Sequence, residues 1–156
     1  MKMREAIPAD ATTIRAIALA TVSQSDGHRE QAIARAYQPE EIVRAISSSE
    51  EAKEQLFIVG ETDGEVVGFY HAIDRGGMWE MLRLYLHPRV QRHGYGTAFL
   101  AHLQHQKKQP VELYVESTNE SALAFLTKQA FREVSRIQED VYDEPMELVQ
   151  MTYTPH

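Results

Sequence analysis

Residues 80–97 read EMLRLYLHPRVQRHGYGT: an apolar strand-like run, a proline break and two closely spaced glycines. Met78 to Leu86 has strand character, and the stripe Phe99, Leu100 and Leu103 predicts a helix over 95–107. Gly94 and Gly96 therefore flank the start of a helix. The first N–H groups of a helix have no intrahelical acceptor, and its dipole adds positive potential there. Glycine lets the backbone approach a phosphate closely. Arg89 and Arg92 could add charge pairing. The stretch predicts an anion site suited to a phosphorylated cofactor.

Two familiar phosphate patterns fail on these residues. A Walker loop needs Gly-Lys-Ser/Thr, but Thr97 follows Gly96 directly. A dinucleotide fingerprint needs a third glycine where Phe99 stands. Glu112 or Glu116 lies near the distance of a ribose-binding acid, yet three antiparallel-looking strands precede the glycines instead of one first strand. A plain glycine-rich helix start is the other alternative.

Outward from this stretch, Thr62-Asp63-Gly64 separates strand-like runs over 56–61 and 65–73, a strong hairpin signal. Arg75-Gly76-Gly77 makes the next turn. Upstream, 2–7 reads as a first strand, and Asp10 can cap a helix carrying Ile14, Ile17, Ala18 and Val22. The polar stretch 23–30 reads as a loop, and Pro39 opens a second helix that Ser47-Ser48-Ser49 ends or frays. Downstream come a strand over 111–115, a helix over 120–129 and strands over 132–138 and 147–153, with a turn around Asp143. Ser117 with Glu120, or else Asn119, caps the late helix. The order β-α-α-β-β-β-α-β-α-β-β predicts an α/β domain with a mixed, mostly antiparallel sheet of about seven strands and about four helices.

The 156 residues fit one domain spanning 1–156, since halves of fewer than about 80 residues would need staples the chain lacks. Absence of cysteine excludes disulfides, Cys-zinc sites and a cysteine nucleophile. The charged N-terminus has no apolar signal core, and no apolar run approaches the roughly 20 residues a membrane span needs, so a soluble cytoplasmic protein is expected. A net charge of −7, with no dominant basic patch, argues against nucleic acid. That charge suits a cationic small substrate as well as plain solubility. His102 and His105 lie one turn apart without a third ligand and read as a solvated face, so no metal is expected. His71 faces an acceptor cleft or packs, and Met78 and Trp79 read as core or cleft wall.

Gln91-x-x-Gly94-x-Gly96, after Leu84-Tyr85-Leu86 and His87-Pro88, resembles the acetyl-CoA motif of the GNAT acetyltransferases. Arg4-x-Ala6-x-x-x-Asp10 is similar to that family's opening strand and helix cap. Asn119-x-x-Ala122-x-x-Phe125, ending at Ala130-Phe131, is similar to its second CoA-side helix, with alanine in place of glycine. Tyr37-Gln-Pro-Glu-Glu41 and the tail over 141–153 bear a faint similarity to the branch containing bacterial polyamine acetyltransferases.

The resemblance implies an acetyl-CoA-dependent N-acetyltransferase, acting by direct attack of a small-molecule or peptidyl amine, and dimers are common among such proteins. By it, backbone groups of Leu84 and Leu86 hold the pantetheine arm. Amides of Gln91, Arg92, His93, Gly94, Tyr95, Gly96 and Thr97 cradle the pyrophosphate, and Asn119 contacts the cofactor further along. Glu80 aligns with the family's frequent general base. Strict alternation places it on one face with Leu82, Leu84 and Leu86, where burial would strengthen it as a base; a bulge would change that facing, and a solvated strand-end glutamate is the alternative. The Leu86 N–H is the oxyanion donor. Leu126 stands where the family carries a tyrosine acid, and Tyr85 or Tyr142 could substitute only if the fold brings one near the sulfur. That departure motivates an alternative, a catalytically weak acyl-CoA-binding sensor.

Overall fold

The computed structural model describes residues 1–25, 30–52, 54–141 and 144–156. Strands β1 (Lys2–Glu5), β2 (Gln55–Thr62), β3 (Glu65–Asp74), β4 (Trp79–Leu86), β5 (Val111–Glu116), β6 (Arg132–Val141) and β7 (Glu144–Tyr153) form one seven-stranded sheet. Its order is β1-β2-β3-β4-β5-β7-β6, antiparallel throughout except between β4 and β5. The helices are α1 (Ala11–Ser25), α2 (Glu30–Ala36), α3 (Pro39–Glu51), α4 (Tyr95–Gln106) and α5 (Glu120–Lys128). None among the described residues is long and apolar enough to cross a membrane.

Five helices stand where the sequence predicts four. The expected loop over 23–30 is partly helix, because α1 continues to Ser25 and α2 begins at Glu30. Helix α2 has only 7 residues, too few turns for an apolar period to show. Helix α3 runs through its three serines to Glu51, with Ile46 buried beneath them and the Ser49 hydroxyl donating to the Ile46 carbonyl at 2.8 Å. Asp10 does not act as a simple cap. Its carboxylate takes the Ile7 N–H at 2.8 Å and both ends of the Arg4 guanidinium at 2.9 Å, tying β1 to the turn before α1. The Asp63-Gly64 hairpin forms as read, with both residues left-handed.

Strand alternation sends side chains to two cores. Phe57, Val59 and Phe69 lie beneath Ile14, Ile17, Ile42 and Ile46 of α1 and α3. On the opposite face Ile58, Tyr70 and Met81 pack with Phe99 and Leu103 of α4 and Leu126 of α5. Each helix stripe thus covers one face of the pleat.

The loop joining β3 to β4 is bound to the loop before β5. The Asp74 carboxylate accepts from Lys107 Nζ at 2.9 Å, Gln109 Nε2 at 3.0 Å and the Gly76 N–H at 3.0 Å. These donors hold the Asp74 carboxyl far below its ordinary range. Trp79 adds its indole N–H to the Lys107 carbonyl and its backbone N–H to the Pro110 carbonyl, both at 2.8 Å.

Helix α5 ends in a Schellman motif. The Phe131 N–H reaches the Leu126 carbonyl and the Ala130 N–H the Thr127 carbonyl, both at 3.0 Å, while Phe131 and Leu126 share the core. Ala130 is left-handed at φ 69°, where a Cβ is strained. Ala130→Gly should stabilise the protein by about 0.5–1 kcal/mol after the added chain entropy, raising the melting temperature by about 2 °C. An unchanged or lower melting temperature would refute strain at this cap.

Candidate active site

Parallel pairing of β4 with β5 covers only Trp79 opposite Val111 and Glu80 opposite Glu112. Both strands continue, β4 to Leu86 and β5 to Glu116, so the sheet opens between them. The His87 N–H donates to the Val67 carbonyl at 2.8 Å, and Leu86 lies opposite Gly68. Antiparallel alternation then turns Tyr85 backbone groups toward β3 and those of Leu84 and Leu86 into the opening. The Leu86 carbonyl accepts from Gln91 Nε2 at 3.3 Å and lies 3.3 Å from the Thr21 hydroxyl, which shares its one proton with the Ile17 carbonyl at 2.9 Å. Thr21 is a site contact the sequence reading missed, since nothing local links α1 to the end of β4.

Beyond β4, Pro88–Val90 makes one 3₁₀ turn, and the Gln91 N–H bonds the Pro88 carbonyl at 3.3 Å. Arg92 and Gly94 are both left-handed, at φ 70° and 78°. Across this bend and the first turn of α4, the N–H groups of Arg92 through Thr97 find no acceptor among the described residues. Successive unpaired N–H groups at a helix start form a concave anion cradle.

The two glycines do different work. A Cβ on Gly94 would meet nothing within 4 Å, so its outer side is open. A Cβ on Gly96 would lie 2.8 Å from the Phe125 ring, so this glycine permits α4 to pack against α5. Arg89 is drawn toward Glu65 at 3.1 Å, while Arg92, also exposed, has no carboxylate partner among the described residues. His93 bonds the Val90 carbonyl at 3.0 Å and lies 5.7 Å from the Tyr95 ring. Thr97 accepts from Gln129 at 3.0 Å. Asn119 caps α5 through its carbonyl oxygen, 3.2 Å from the Ala122 N–H, leaving its amide NH₂ on the exposed side.

A bulge in β4 corrects the expected facing of Glu80. His71 pairs with Arg83 and Ala72 with Met81, so Leu82 is the extra residue and is exposed. Leu84 and Leu86 consequently join Trp79 and Met81 on the α4–α5 core. Glu80 shares the opposite face with Arg83 and Tyr85, away from those leucines. Nor is it buried in an apolar setting: it is partly exposed, and Arg75 holds it at 3.0 Å. An inserted strand residue reverses facing beyond it, which strict alternation cannot anticipate.

The remaining candidates sort by packing. Tyr85 packs edge-on to Tyr37 at 6.1 Å and tilted to Phe69 at 5.5 Å. Leu126 is buried in the cap of α5. Tyr142 lies outside the described residues. His102 bonds the Tyr70 hydroxyl at 2.7 Å, and no group of three metal-ligating side chains occurs among the described residues.

His71 packs rather than lining a cleft. It stacks on Phe57 at 4.9 Å, bonds Gln55 through Nε2 at 3.1 Å, and its buried Nδ1 has no partner. Burial, with help from Arg83, lowers its pKa to about 4 from an ordinary 6.5. The folded state therefore favours the neutral ring. That contribution is complete above the unfolded value and is lost as pH falls from there toward 4, by about 3 kcal/mol in all. His71→Phe should flatten the fall of unfolding free energy between pH 6.5 and 4. Superimposable pH profiles for the two proteins would contradict this.

No curated protein gives a significant match. A model of the acetyltransferase (GNAT) family matches residues 21–131. Among solved structures, the PaiA N-acetyltransferase from Thermoplasma acidophilum in complex with coenzyme A is similar with TM-score 0.81 at 21% identity, covering 99% of this chain and 98% of that one. The ribosomal-protein-alanine N-acetyltransferase from Brucella melitensis is similar with TM-score 0.78 at 18% identity, over 99% and 100%. YncA from Salmonella typhimurium with its cofactor acetyl-CoA is similar with TM-score 0.76 at 19% identity, over 100% and 95%. At these identities the likenesses establish a shared fold.

Proposed function

This chain belongs to the GNAT family of acetyltransferases, and on that premise we propose that it transfers an acetyl group from acetyl-CoA directly to a primary amine, small-molecule or peptidyl. The observation that carries the reading is the opening between β4 and β5, with an unpaired N–H series at one end of it. The chain's own groups fit the cosubstrate. Amides of the loop from Gln91 through Thr97 suit a pyrophosphate, with the unpaired series beginning at Arg92. The backbone edge of Leu84 and Leu86 suits an amide-bearing pantetheine arm, and the Asn119 NH₂ suits a contact further along. Bound acetyl-CoA supplies an activated thioester carbonyl.

Glu80, on the face opposite α4, takes a proton from the incoming ammonium, directly or through water. Arg75 orients its carboxylate. The neutral amine nitrogen then bonds the acyl carbon, the carbon–sulfur bond breaks, and the nitrogen sheds its second proton to water to leave the amide. The Leu86 N–H donates to the carbonyl oxygen as negative charge grows there. Free thiols have a pKa of about 8.5, so the departing sulfur can take its proton from solvent. That matters because Leu126 offers no acid.

Thiol release from acetyl-CoA with pooled polyamines, amino acids, aminoglycosides and short peptides tests the reading, and release dependent on one pool supports it. Binding of acetyl-CoA without amine-dependent release would favour the sensor reading that buried Leu126 motivates. Glu80→Gln should lower turnover about a hundredfold or more while acetyl-CoA affinity persists. Unchanged turnover would remove Glu80 as the base. Gly94→Val places a branched side chain at φ 78° on the open side of the loop and should abolish acetyl-CoA binding in a folded protein. Retained affinity would sink the phosphate-loop assignment.

A further inference from the structure

Arg83 is a half-buried cation whose charge meets an aromatic ring but no carboxylate among the described residues. It follows the last β4–β5 pair, so no strand lies beside it on the β5 side. The bulge at Leu82 turns it to the Glu80 face. There its guanidinium carbon sits 5.1 Å from the centre of the Tyr37 ring. That distance is a cation–π contact, and no side-chain hydrogen bond of Arg83 occurs among the described residues.

Arg4, Arg44, Arg75, Arg89 and Arg136 are matched to carboxylates, and Arg92 and Arg132, which are not matched among the described residues, lie exposed in water. Arg83 is half-buried and reaches no carboxylate among the described residues. His71, opposite it on β3, is neutral and contributes no compensating charge. A sheltered cation without a counter-ion is costly, and a ligand carrying the opposite charge removes that cost.

Glu80 lies two β3 register steps from Arg83, since their partners are Ile73 and His71. That spacing is about 7 Å along the sheet. An acid and an unmatched arginine so placed fit a molecule whose amine and carboxylate are separated by a few bonds. A polyamine would instead meet repulsion at Arg83.

We infer that Arg83 is the specificity-determining residue on the Glu80 face of β4, binding a carboxylate on the acceptor, so that the acceptor is a small amino acid-like zwitterion. This rests on the reading of the Glu80 face as the amine site beside bound acetyl-CoA. An Arg–carboxylate fork fixes orientation as well as charge, which would present the amine toward Glu80.

The test compares α-, β- and γ-amino acids with their carboxamides and with diamines of matched length, by thiol release from acetyl-CoA. At least one free acid should exceed its carboxamide by about tenfold or more in kcat/KM. Arg83→Gln should erase that preference through KM, costing the free acid about tenfold more than the carboxamide, while acetyl-CoA affinity persists. Arg83→Lys should keep part of it, having the charge without the fork. Equal use of acids and carboxamides by the wild type, preference for diamines, or equal loss on both acceptors in a folded Arg83→Gln protein would each overturn the inference. Amine-dependent release indifferent to the carboxylate would leave acetyl transfer standing and remove only Arg83's role. Release with no acceptor of any class would remove both.

Discussion

The candidate site depends on a parallel pairing that stops after two residue pairs. Had β4 and β5 stayed zipped, the N–H and C=O groups of Leu84 and Leu86 would be spent on a neighbouring strand. One end is fixed by Asp74, which gathers Lys107, Gln109 and Gly76, and by Trp79, which gathers the loop before β5. Toward the other end, Leu86, Phe99 and Phe125 belong to the same core beneath the opening. Gly96 lets α4 and α5 close over it, since any side chain there would strike Phe125. The gap is thus held open by packing below it and closed by hydrogen bonds behind it.

The bulge at Leu82 divides the labour between the two faces. Beyond it, Leu84 and Leu86 keep apolar side chains on the α4–α5 core while their backbone edge faces the opening. The same inserted residue sends Arg83 and Tyr85 to the face that Glu80 shares. One strand therefore offers neutral backbone donors along its edge and charged side chains on the far face. Such a layout suits a reaction in which two molecules approach from different sides.

Local chemistry made much of this legible in the sequence. Asp63-Gly64 reads as a hairpin because the turn requires left-handed residues, and both are left-handed. Gly94 reads as a phosphate-approach residue because it sits at a helix start, and Asn119 as a cap because of its place before 120–129. What was illegible depends on non-local contacts. Helix α2 is too short to show a period, and Asp10 spends its carboxylate on Arg4 instead of a helix end. Glu80 faces away from Leu84 and Leu86 because of one extra residue that no spacing rule announces. The partners Thr21, Arg75 and Tyr37 reach the site from a helix and from turns that only the folded chain brings near.

Backbone hydrogen exchange with and without acetyl-CoA tests the central claim most directly. Acetyl-CoA should slow exchange at the amides of Leu84, Leu86 and Arg92 through Thr97, while β6 and β7 away from the opening stay unchanged. Protection confined to other segments, or none at saturating acetyl-CoA, would contradict a cosubstrate held in the gap between β4 and β5.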